Sequence, residues 1–317
     1  MNILKKSMTA AVCVSTFSLL AADVSANIDI VFDYSTDTSG FFDLVTHADG
    51  STGATRRARL NEAASFYENA FQDTLSAITV SNTTNVGRYI DPVSGSPTSI
   101  SSPISIAENE IRVFVGSQNQ GSLAWAASAW YSPFFTSWME GTARRGQGDI
   151  HGSNAVDTAM WGGSISFDTS LSSGNWWWGD QNNDIPDRVF AHEPIFHDFL
   201  STAIHELGHL LGFSDNADSF DNLLSGNTFT GTNAVAAYAA AGGSGNVPTV
   251  GNAHWQDGLL GDSLAMDPTL TNNTRKLLTD LDWAAFQDIG WEVVIPEPTS
   301  IALLSLGSLF VMRRKKA

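Results

Sequence analysis

The apolar residues of this chain fall into segments of different period. Asn27 to Tyr34 alternates, with Ile28, Ile30, Phe32 and Tyr34 on one face, which predicts a half-buried strand. From Arg59 to Ile78 the apolar positions Leu60, Ala63, Ala64, Tyr67, Ala70, Phe71, Leu75 and Ile78 recur at helical spacing. A Ser/Pro/Gly-rich stretch, Val93 to Ser105, predicts an exposed loop. Ile111, Val113 and Val115 mark a second strand, and Ile165 with Phe167 a third. A helical pattern returns from Asp198 to Leu211, with Asp198 suited to the N-cap and Gly212 to the stop. The Gly/Ala/Asn-rich segment Ser225 to Asn252 reads as an insertion, and Thr279 to Ile289 as a capped helix closed by Gly290. No internal repeat is visible. The order predicts an α+β chain, with a twisted mixed sheet and two long helices above and an irregular half below.

The two ends read differently from the body. Residues 1–26 carry Lys5 and Lys6, an apolar run from Met8 to Leu20, then Val24-Ser25-Ala26. That is the order of a secretory signal peptide, so the mature chain is expected to begin near Asn27. At the other end Pro296-Glu297-Pro298 precedes the apolar run Ile301 to Met312 and the cluster Arg313, Arg314, Lys315, Lys316. The apolar run is short of the roughly 20 residues that a helix needs to span a bilayer, and a weak tail anchor held by the basic cluster is one reading of it. The segment 296–317 also resembles the PEP-CTERM sorting tail of Gram-negative bacteria. The resemblance implies recognition by an exosortase at the inner membrane, transient C-terminal anchoring, and a protein exposed at the surface or released.

The whole chain carries a formal charge of −17, and residues 27–295 keep 10 basic against 31 acidic residues, a net of −21. This acidity excludes a nucleic-acid partner held through phosphates. The single cysteine, Cys13, lies in the signal segment. The body therefore has no thiol for disulfides, nucleophilic catalysis or metal binding, and a metal would be held by His and carboxylates.

The helix after Asp198 contains His205-Glu206-Leu207-Gly208-His209. Residues four apart share a helix face, so His205 and His209 can reach one ion while Glu206 faces the same cleft. Two imidazoles plus a third ligand leave one tetrahedral position of zinc for water. Zinc lowers the pKa of such a water from about 15.7 towards about 7. Glu206 is the expected general base, taking a proton from the water and handing it to a leaving amine.

Two residues compete as third ligand. Gly212 permits a sharp turn, and Asp215 completes His205-Glu206-x-x-His209-x-x-Gly212-x-x-Asp215, which resembles the elongated zinc signature of the metzincin proteases. The alternative is His254 of His254-Trp255. Gly212-Phe213, an insertion, His254-Trp255 and then Met266 follow the order of leishmanolysin-like metzincins, and His254 is preferred as the more usual zinc partner. Met266 resembles the Met-turn methionine, which packs beneath the metal. The same resemblance makes Gly162 to Asp168 the edge strand that binds substrate and Thr279 to Gly290 the C-terminal helix. It implies a secreted zinc metalloendopeptidase occupying 27–295.

Other polar clusters carry open readings. His192 and His197 could form a second metal site but read more simply as loop residues. Asp215, Asp218 and Asp221, or Asp180, Asn182, Asn183, Asp184 and Asp187 after Trp176-Trp177-Trp178, offer oxygen ligands for calcium, against core packing with an acidic turn. Two functional alternatives stand beside the protease: a non-catalytic surface or biofilm-matrix binding protein, and a zinc hydrolase of a non-protein amide.

Overall fold

The computed structural model describes residues 27–133, 135–171, 175–183, 195–251 and 253–294. The signal segment, the sorting tail, His192, Asp184 and Asp187 lie outside the described residues.

The chain is a mixed α+β structure with several sheets. Its main sheet contains β1 (Asp29–Asp33), β2 (Glu110–Gln118), β3 (Ala124–Ser128) and β4 (Gly162–Asp168), in the order β1-β2-β4-β3. β1, β2 and β4 run parallel, and β3 closes one edge antiparallel to β4. The apolar positions that predicted strands, Ile111, Val113, Val115, Ile165 and Phe167, are buried in the main core. Phe114, on the opposite side of β2, enters a smaller cluster with Val80, Tyr89, Ile106 and Trp161.

Two helices pack on the core side of the sheet. α1 spans Gly53–Ala70 and α2 spans Phe199–Leu210; the Tyr67 hydroxyl donates to the Ile204 carbonyl at 2.7 Å where they meet. α1 thus begins earlier and ends earlier than the expected Arg59 to Ile78. Thr52 caps its start by accepting from the Thr55 N–H, and Phe71 ends it in an extended conformation. Leu75 and Ile78 are buried as well, Ile78 from a strand, so non-helical chain prolonged the apolar rhythm.

Two further expectations are corrected. The segment 162–168 is an inner strand, buried at every position, and the free edge belongs to β3. Sequence alternation could not assign it, because a strand covered on both faces and one at an edge can share the same apolar content. The stretch Val93 to Ser105 is a loop interrupted by strand Pro97–Ser99 and the start of Ile104–Ile106. The segment read as an insertion carries elements of its own: β5 (Thr228–Phe229), α3 (Thr232–Ala240) and β6 (Val247–Val250) lie in it, and β5-β6-β7, with β7 His254–Trp255, form an antiparallel sheet. Buried Phe229, Ala234 and Val247 anchor that unit. The last helix, α4 (Asp280–Asp288), has the predicted Thr279 cap and stop at Gly290, and its Asp288 carboxylate accepts from the Asn233 and Ala234 N–H groups at the start of α3.

Candidate metal centre

α2 carries the first two imidazoles, and its ends are fixed by the residues expected to fix them. Asp198 caps the helix by accepting from the Ser201 N–H and hydroxyl, and Arg275 clamps the same buried carboxylate through Nε and Nη2 at 2.9 and 2.8 Å. At the other end Gly212 adopts φ +105°, a left-handed conformation that a Cβ would oppose. The turn brings the Phe213 carbonyl to His209, whose Nδ1 donates to it at 2.8 Å. His205 Nδ1 donates to the Ala265 carbonyl at 2.7 Å.

The third imidazole arrives from β7, where His254 pairs with Val250. The Nε2 atoms of His205 and His209 lie 3.0 Å apart, and those of His209 and His254 3.1 Å apart. Burial holds His205 well below the ordinary histidine pKa, helped by the other two imidazoles, and lowers His254. Burial, then His254, lowers His209 to about 4. These rings are therefore neutral near pH 7. With Nδ1–H donated to a carbonyl, His205 and His209 each present an Nε2 lone pair, and lone pairs at this separation repel unless a cation lies between them. Nitrogens 2.0–2.1 Å from a tetrahedral zinc are about 3.3 Å apart, so the donor set and spacing fit zinc.

Asp215 does not join this group. It is exposed on the turn after α2, near enough for its charge to favour protonation of His209, and its Oδ1 accepts from Asn216. Among the described residues, potential ligand atoms otherwise converge in threes only at Asp257, Asp262 and Asp267. There the chain supplies its own cation: Lys276 Nζ is 2.6 Å from Asp262 and 3.4 Å from Asp267. The calcium candidates Asp215, Asp218 and Asp221 do not converge, and Asp218 meets His151 Nδ1 at 2.6 Å.

Glu206 is buried, and burial pushes its carboxyl up to about 8 against the opposing effect of the Ala126 N–H. It lines a cleft of about 580 Å³ together with the three histidines, Leu123 and the β3 residues Ala124 to Ala126, and Ala265, Pro268 and Leu270 on the facing wall. The bonds Asp168 N–H to Leu123 O and Ala129 N–H to Gly162 O set the β3–β4 ladder. Odd-numbered residues of β3 therefore face β4, and the backbone groups of Ala124, Ala126 and Ser128 face outward. His197, expected in a surface loop, is buried and lines the same cleft. Of the tryptophans, Trp176 packs on Phe167 and Phe199, and Trp178 packs on Phe199 and donates Nε1 to Asp49.

Met266 is fully buried under α2: a Cβ built on Gly208 would lie 2.5 Å from its sulfur. Asp282, which sequence reasoning did not single out, organises this layer. Its carboxylate accepts from Trp255 Nε1 at 2.9 Å and from the Ala265, Met266 and Thr279 N–H groups. It thus joins the residue after His254 to the carbonyl-bearing turn that orients His205. The spacing Thr279-x-x-Asp282 signals a helix cap. Its second use depends on chain brought in from elsewhere.

Residues 294–316 match the PEP-CTERM protein-sorting motif. No curated protein matches the chain. The motif marks an exported protein of Gram-negative bacteria whose C-terminal signal is recognised by an exosortase-like processing enzyme. Among the described residues, no helix is long and apolar enough to cross a membrane.

Proposed function

We propose that this protein is an exported zinc-dependent metalloendopeptidase of metzincin type. The observation that carries the proposal is the convergence of three neutral imidazoles beside buried Glu206, in an open cleft beneath a free strand edge. His205, His209 and His254 would hold the metal through Nε2. Zinc, when bound, supplies a Lewis acid that acidifies water and polarises a carbonyl. A Glu206 carboxylate oxygen takes the proton of the attacking water and gives it to the nitrogen of the departing amine. Burial raises this carboxyl, and a dication held beside it by the three imidazoles would draw it back down, leaving a carboxylate able to take the proton. The outward N–H and C=O groups of Ala124 and Ser128 and the Ala126 carbonyl can pair with an extended peptide, while the Ala126 N–H holds Glu206, an arrangement that favours peptide over compact substrates. The sorting tail would hold the protein at the inner membrane until processing leaves it at the surface or outside the cell.

Hydrolysis of an unfolded protein, followed before and after chelation and after zinc is restored, tests the proposal. Cleavage should vanish with chelator and return with zinc. Glu206→Gln should lower the rate by roughly 10²–10⁴-fold while bound zinc stays the same. A folded, zinc-loaded protein that cleaves no peptide would overturn it in favour of a binding module or a non-protein amide substrate.

A further inference from the structure

A second cavity, of about 280 Å³, opens where β3 ends, and the peptidase reading has not used it. Ser128 to Tyr131 form one of its walls and Asn216 to Ser219 another. The catalytic cleft is walled by residues 121–126 of the first segment and by His205, Glu206 and His209 of α2, which leads into the second. Both walls pass from cleft to cavity in the same chain order, so the two hollows follow one another along β3. Ser128 Oγ donates to the Leu210 carbonyl at 2.8 Å and ties strand end to helix end between them.

The lining chemistry is mainly apolar. Trp130, Tyr131, Met139, Ile150 and Met160 supply rings, thioethers and a branched chain, surfaces suited to a large apolar side chain. The nearby charges are largely engaged: His151 meets Asp218, and the Asp157 carboxylate accepts from the Gly148 and Thr158 N–H groups. Arg88 lies over the Trp130 ring, 5.9 Å from its centroid.

We infer that this cavity is a specificity subsite for a large apolar side chain on the N-terminal side of the scissile bond. The inference rests on the peptidase reading. A peptide added to the β3 edge in the stronger antiparallel sense runs from the Ser128 end towards Ala124. Its N-terminal part therefore lies at the cavity. From Ala126, whose N–H faces Glu206, to Trp130 is four residues, about 13 Å at strand rise. The side chain concerned is thus the third or fourth before the cleaved bond.

The test uses the full zinc-loaded protein and peptides sharing one cleaved sequence, with Phe, Ala, Lys or Glu at those two positions. Phe should exceed Ala in kcat/KM by about tenfold or more at one position. Trp130→Ala and, separately, Met139→Ala should remove that preference, bringing the Phe peptide's kcat/KM down to that of the Ala peptide. Anisotropy of labelled peptides on the Glu206→Gln protein reads binding apart from chemistry. Equal cleavage of Phe and Ala peptides, or a preference for Lys, overturns the subsite and spares the peptidase reading. Trp130-dependent binding of Phe peptides without cleavage by the native protein supports the subsite and overturns the peptidase reading; neither binding nor cleavage overturns both.

Discussion

An imidazole whose Nδ1–H donates to a carbonyl has its one lone pair on Nε2, and His205 and His209 point theirs at a common centre with His254. This geometry separates the two candidate third ligands. His254→Ala should abolish stoichiometric zinc binding, and Asp215→Ala should leave close to one zinc per chain, as metal analysis of the dialysed proteins would read. Zinc loss confined to the Asp215 variant would reverse the assignment. The His205/Glu206/His209 set was legible in the sequence because four-residue spacing is a property of any helix. His254 was only one of two options, since 45 residues separate it from His209 and spacing cannot say where a loop returns.

At the scale of elements, α2 is held between the sheet and the turn around Met266. Ala in place of Gly usually favours a helix by about 1 kcal/mol. At Gly208 the added Cβ would lie 2.5 Å from Met266 Sδ and 3.1 Å from Tyr67 Oη. Overpacking of this kind costs about 1–3 kcal/mol, so Gly208→Ala should destabilise the protein in urea unfolding. In a Met266→Ala background the same change should become neutral or stabilising, a non-additivity expected of residues in contact. Additive effects would show that the two do not press on each other. Helix existence and caps were legible from periodicity, Asp198, Gly212, Thr279 and Gly290. The end of α1 was not, because Leu75 and Ile78 are buried without being helical and prolong the same apolar pattern. The elements inside the insertion were not legible, because its Gly and Ala content gives no clear period, although Phe229 and Val247 are in the core.

Across the whole molecule, the end of α1 is stitched to the end of the described chain. Phe71 bridges Val293, and the buried Asp73 accepts from the Glu292 N–H through Oδ2. Burial, with Glu292 and Asp157 nearby, pushes the Asp73 carboxyl up to about 7. A carboxyl raised on folding favours the folded state in its protonated form. Its contribution is fully present below the unfolded value near 4 and is lost as pH rises through about 7. Asp73→Asn, neutral throughout, should therefore melt progressively higher than the native protein between pH 5 and pH 8. A constant difference in melting temperature over that range would show that Asp73 does not titrate there. The sequence by itself determined what is written within a few consecutive residues: the C-terminal sorting motif, the helix caps, and two imidazoles with a carboxylate on one turn of α2. Only the tertiary structure decided that β3 rather than β4 is the free edge, that His254 completes the cluster, and that Asp282 and Met266 support it. Each of these depends on segments far apart in sequence meeting in one core, where burial and backbone pairing, not local spacing, set the neighbours.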